Sequence, residues 1–198
     1  MIHEIAISPA RRLFLAIPLP KSIAEILLQC RFQHPAIRWT PPANFHITVY
    51  FFGATPENSI RELAKHIRAV SSSVKSFEMD FEKFICVPQG ISPHMIWAGL
   101  QSNSHFSTLV KKIQNIAIEL LHVKPENHAP HPHVTLARFR ARADVREIPL
   151  AKLDIPPLQV KNLHLMESHL ERSGAQYSLL SKFALKYTEN IEVPEHLP

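Results

Sequence analysis

Two short segments share one pattern. His46-Ile47-Thr48 and His133-Val134-Thr135 stand 87 residues apart, each followed by an apolar residue, Val49 or Leu136. Imidazole titrates near neutral pH, so a pair can supply one neutral base and one protonated acid at once. A hydroxyl two residues on can donate to a non-bridging phosphoryl oxygen as charge builds there. Hydrolysis of a phosphodiester needs these groups: a base for the attacking water, an acid for the departing oxygen, and donors for the phosphoryl oxygens. With imidazoles on opposite sides of phosphorus, in-line displacement can proceed without a metal. A strained cyclic phosphate suits such a site best, because its internal leaving group lowers the barrier.

This chemistry requires elements that bring the two segments together. Side chains alternate faces along a strand. His46, Thr48 and Tyr50 are therefore expected on one face, with Ile47, Val49 and Phe51 on the core face. In the second segment Val134 and Leu136 take the core side and leave His133 and Thr135 on the other. The parity is the same in both.

The order of elements repeats as well. Leu13–Ile17 reads as a buried strand, Lys21–Arg31 as a helix and Ile37–Trp39 as an extended stretch, before the first motif strand, His46–Phe52, ends at Gly53. Thr55-Pro56 opens a helix with an apolar stripe of Ile60, Leu63, Ala64, Ile67 and Val70. Phe77–Val87 and Met95–Leu100 read as strands, Ser104–Leu121 as an amphipathic helix, and His133–Phe139 as the second motif strand. Phe14 precedes His46 by 32 residues and Trp97 precedes His133 by 36, which suggests an internal duplication. Two strands, Gln159–Ser168 and Gln176–Lys186, turn around Ser173-Gly174, and a polar tail runs from Thr188 to Pro198. The expected fold is α+β: two similar lobes of antiparallel-rich sheet, helices on the outer faces, and a cleft between the lobes. Residues 1–187 are expected to form one bilobal domain, with 188–198 as the tail.

Bulk properties set limits. The chain has 198 residues, 45% hydrophobic and 20% charged, which suits a globular protein with one substantial core. Its formal charge of +5 favours anionic partners. Cys30 and Cys86 lack metal-ligand spacing and read as free thiols. No apolar run nears the roughly 20 residues that span a bilayer, and the first residues lack a secretory pattern. A cytoplasmic monomer without membrane contact is expected.

Other residues could join the site. His131 and His133 have His-x-His spacing, a rival reading as two ligands of zinc or manganese, with His46, His128 or a distant carboxylate as the third. Pro130 and Pro132 break the local strand geometry that this needs. Arg138 could pair with phosphate, although strict alternation puts it opposite His133, so it needs a bulge or the strand end to reach the cleft. Phe14, Trp39, Phe45 and Tyr50 are candidates for stacking on a base. Arg140, Arg142 and Arg146 could track a nucleic-acid backbone.

Together these segments resemble the 2H phosphoesterase superfamily, and within it the bacterial RNA 2′,3′-cyclic phosphodiesterase family, also named 2′-5′ RNA ligase. The resemblance runs from about Arg12 to Leu185. It is carried by Arg12–Ile17 with Leu19-Pro20, by Arg38-Trp39 and Asn44–Thr48 with Phe52-Gly53, by Ile96–Leu100, by Pro132–Arg138, and by Leu165–Leu170 with Gly174, Tyr177, Leu180 and Phe183. Val49-Tyr50-Phe51 departs from the family's usual Leu, small residue and Phe. The resemblance implies opening of a 2′,3′-cyclic phosphate at an RNA 3′ end to a 2′-phosphomonoester, with no metal or cofactor. His46 would be the proton donor, His133 the proton acceptor, and Thr48 and Thr135 the phosphoryl-oxygen ligands. It also implies a reverse 2′-5′ ligation to a 5′-hydroxyl. Other small cyclic or 2′-5′ linked nucleotides, and a non-catalytic RNA-binding module, are the alternatives.

Overall fold

In the computed structural model the described residues are 9–89, 93–125, 129–140, 154–171 and 174–187. The chain runs β1 (Ala10–Pro18), α1 (Lys21–Leu28), β2 (Ile37–Trp39), a 3₁₀ turn (Pro42–Asn44), β3 (His46–Pro56) and α2 (Glu57–Ser73). It continues through β4 (Phe77–Met79), β5 (Phe81–Val87), β6 (Met95–Leu100), α3 (Ser104–Leu121) and β7 (His133–Phe139). It ends in β8 (Leu158–Val160), β9 (Asn162–Glu171) and β10 (Gly174–Ala184). The expected α+β class is found. The periodicities marked α3 to the residue and α2 to within two, Pro56 being the residue before the first helical turn rather than in it.

One antiparallel sheet organises the molecule, in the order β10-β9-β1-β3-β7-β6-β5, with β2 added alongside β7. The duplication is visible in its pairing, since β1 pairs with β3 and β6 with β7. The register, however, sets Phe14 opposite Phe51 and Met95 opposite Arg138, and Ala16 opposite Thr48 and Trp97 opposite Thr135. Met95 is thus the ladder equivalent of Phe14, and Trp97 that of Ala16. The motif strands lie side by side in one continuous sheet, joined at the pair Ile47–Val134. Only side chains on the same face of that seam can meet.

The core lies on the other face. Ile47, Val134 and Leu136 are fully buried there with Leu63 and Ile67 of α2 and Leu109, Ile113 and Ala117 of α3. Each of the valine, leucine and isoleucine side chains contributes about 1.5–3 kcal/mol by leaving water, so the seam that carries the motifs is fixed from beneath. Cys30 is buried, Cys86 half-buried, and both are free. Among the described residues no helix is long and apolar enough to cross a membrane. The tail from Thr188 onward lies outside the described residues.

Candidate active site

Two bulges decide which residues reach the groove above the seam. In β3 the pairing with β1 jumps from Leu15–Tyr50 to Ala16–Thr48, so Val49 is skipped. Val49 and Tyr50 then both face the core, and alternation resumes one residue out of phase. The expected groove position of Tyr50 is therefore corrected: Tyr50 is 5% exposed in the core, while Phe51 is 40% exposed and lines the groove. The strand also continues past Gly53, which adopts φ +71 at a second shift, instead of ending there. In β7 the same device skips Leu136, between the pairs Trp97–Thr135 and Ile96–Ala137. This is the bulge Arg138 needed, and its side chain lines the groove.

The groove encloses about 470 Å³. His46 and Thr48 from β3 and His133 and Thr135 from β7 line it together, flanked by Phe51 and Arg138. Trp39 and Phe14 are also in its wall, whereas Phe45 is a core residue 6% exposed. Arg140 is exposed but does not line the groove; Arg142 and Arg146 lie outside the described residues. Sequence reasoning missed Phe51, because it assumed unbroken alternation, and the wall supplied by Tyr177 and Gly174 of β10.

Both histidines are oriented by one arrangement. The Nδ1 of His46 lies 2.8 Å from the carbonyl oxygen of Asn44, and that of His133 lies 2.7 Å from the carbonyl of His131. A carbonyl can only accept, so each Nδ1 carries the proton and each Nε2 is left to exchange one. Asn44 is itself anchored, its side-chain amide donating to the Ala175 carbonyl at 3.1 Å and tying the 3₁₀ turn to β10. Among the described residues neither motif threonine hydroxyl has a protein partner.

The ring environments differ. His46 sits in an aromatic box with Phe14 at 5.0 Å and Tyr177 at 5.4 Å, the latter edge-on. His133 stacks face-on against Trp97 at 3.6 Å and 15°. Burial pushes the His46 imidazole below its ordinary range; the Asn44 carbonyl opposes this and the charge of His133 adds to it. Burial likewise lowers His133, opposed by the His131 carbonyl and reinforced by His131 and Arg138. Burial thus favours the neutral form of both imidazoles, and an arriving anion favours protonation.

His131 acts here through its main chain. It precedes β7, is exposed, and does not share a strand face with His133. Among the described residues no three of His, Cys, Asp and Glu converge as a metal site; His128 lies outside them. Among the described residues the groove lining contains three arginines, Arg12, Arg38 and Arg138, and no carboxylate. The guanidinium of Arg12 lies over the Phe51 ring at 4.7 Å, and Arg138 Nη1 donates to Met95 Sδ at 3.2 Å.

The two His-x-Thr strands thus lie in one antiparallel sheet and open on one groove. A sequence model of the 2′-5′ RNA ligase superfamily matches residues 19–172, and the chain belongs to that superfamily. An RNA 2′,3′-cyclic phosphodiesterase of Thermotoga maritima is 26% identical over 176 residues, spanning 85% of this chain and 92% of that protein. The crystal structure of TT0787 of Thermus thermophilus superposes with a TM-score of 0.80 at 23% identity, covering 89% of this chain and 98% of that one. E. coli LigT complexed with 3′-AMP superposes with a TM-score of 0.73 at 23% identity, covering 90% and 99%. The two superpositions establish the fold.

Proposed function

We propose that the chain is a metal-independent RNA 2′,3′-cyclic phosphodiesterase, which opens the cyclic phosphate at an RNA 3′ end to a 2′-phosphomonoester. The observation that carries this reading is the symmetric presentation of two imidazoles, each with Nδ1 held by a carbonyl two residues earlier, in one arginine-lined groove. The name of the Thermotoga relative supports the same activity.

In this reading His133 Nε2 takes a proton from water as the water oxygen attacks phosphorus. The bond from phosphorus to the 3′ oxygen breaks, and His46 Nε2–H delivers its proton to that oxygen. Thr48 and Thr135 donate to the non-bridging oxygens, and the Arg138 guanidinium pairs with the phosphate charge. The bound anion supplies the charge that protonates His46 against its desolvation. A 5′-hydroxyl in place of water gives up its proton to His133 and attacks phosphorus in the same way; the 3′ oxygen again departs with the proton of His46, and a 2′-5′ bond forms. Residues 1–187 act as one bilobal catalytic unit, a monomer in the cytoplasm, whose partner is RNA or a small cyclic nucleotide and which needs no cofactor.

The test uses an oligoribonucleotide ending in 2′,3′-cyclic phosphate, with EDTA present. Conversion to a 2′-phosphate end supports the reading. RNA binding without turnover favours the non-catalytic alternative, and turnover only after a divalent metal is added contradicts the metal-free chemistry.

A further inference from the structure

Arg12 and Arg38 are the described groove arginines that the chemistry above leaves unused, and of the two only Arg12 has a ring contact, with Phe51. Arg38 lies in β2, and the β2–β7 register sets it directly opposite Arg138. Residues opposite each other in an antiparallel pair project to the same face, and like charges so placed destabilise the sheet. Both side chains line the groove, where no carboxylate among the described residues relieves them. The other groove cations are occupied: Arg12 covers the Phe51 ring and Arg138 reaches Met95 Sδ. The Arg38 side chain has neither a hydrogen bond nor an ion pair among the described residues.

Its guanidinium is nevertheless given a place. It rests against Gly174 at the start of β10, where a Cβ would collide with it. Gly174 also has φ +123, a conformation L side chains rarely adopt, so the sequence keeps this surface bare. A seated guanidinium facing a like charge across a ladder is a place for an anion that bridges or extends between the two.

We propose that Arg38 forms a second phosphate subsite, which takes the 5′-phosphate of the terminal nucleotide while the cyclic phosphate sits between the histidines. The preferred substrate is then a nucleotide chain end or a 5′-phosphorylated nucleotide, not a free nucleoside cyclic phosphate. This rests on the phosphodiesterase reading for the position of the reacting group.

Three substrates test it: adenosine 2′,3′-cyclic phosphate, its 5′-phosphorylated form, and an oligoadenylate with the same cyclic end. The wild-type kcat/KM is expected to be at least tenfold higher for both substrates that carry the 5′-phosphate. Arg38→Gln should remove most of that advantage, and Arg38→Lys should keep part of it. No advantage in the wild type, or an equal loss on all three in Arg38→Gln, overturns the subsite. An advantage confined to the oligoadenylate also overturns it, since the gain then comes from contacts beyond one phosphate. A second measurement needs no turnover. Calorimetric titration should show adenosine 2′,5′-bisphosphate binding at least tenfold more tightly than adenosine 2′-monophosphate, with the gap closed in Arg38→Gln. If no substrate is hydrolysed, the phosphodiesterase reading fails while this titration still decides the subsite; equal affinities in the wild type overturn it.

Discussion

Phe51 and Arg138 occupy one position in the two halves. Each lies five residues beyond its motif histidine, past a bulge that skips one residue, with its side chain in the groove. The duplicated backbone therefore presents an apolar ring on one side and a fixed cation on the other. A phosphate ester with an attached base has the same polarity.

This equivalence predicts unequal effects. Arg138→Ala should lower kcat/KM by at least about 100-fold, the scale of losing a charge-assisted contact made in the transition state. Its urea midpoint should move little, because the residue is exposed. Arg138→Lys should recover only part, since an ammonium lacks the planar fork. Steady-state kinetics and urea denaturation on the three proteins check this.

The lowered imidazoles predict an acid-shifted profile. A reactive pair needs one protonated ring, and burial holds both folded values below about 6.5. kcat/KM should peak below pH 6.5 and fall as pH rises above it, while kcat, measured with the anion bound, should hold to higher pH. An optimum for kcat/KM above pH 8 contradicts the assignment.

The same groups set a stability window. The unfolded imidazoles titrate near 6.5 and the folded ones lower, so as pH falls through that interval the unfolded state binds more protons. Stability is therefore full above about pH 6.5 and lost as pH drops through the folded values. The double variant His46→Gln with His133→Gln should lose less stability than the wild type between pH 7 and 5, read from urea midpoints. An identical slope in the two proteins contradicts the burial argument.

Trp97 is predicted to matter through His133. Removing the 3.6 Å stack in Trp97→Leu should cost on the order of 1 kcal/mol of ring positioning, seen as a roughly fivefold drop in kcat with KM nearly unchanged. Trp97→Phe should restore most of it. A loss confined to KM would make Trp97 a substrate contact instead.

The sequence made some of this legible and not the rest, for physical reasons. Hydrophobic period alone marked Ser104–Leu121, because one face packs on the seam and the other is solvated. The meeting of His46, His133 and their threonines followed from repeated element order. Tyr50 and Phe51 were exchanged because a bulge has no signature in residue types: Val49, Tyr50 and Phe51 are all good strand formers. For Arg138, alternation leaves a bulge or the strand end as routes to the groove, and the register of β7 with β6 shows that it is the bulge. The carbonyls that orient the rings were invisible, since any residue at positions 44 and 131 supplies one. Arg38 gained meaning only from its ladder partner, a long-range register that no local pattern encodes.

The claim that both imidazoles act on one phosphate is tested most directly by a double-mutant cycle on the RNA cyclic-phosphate end. His46→Ala and His133→Ala should each lower kcat by at least about 1,000-fold, and the double variant should be scarcely worse than either, as expected of groups that act as a unit. Losses under tenfold in either single variant, or losses that multiply in the double, would contradict it.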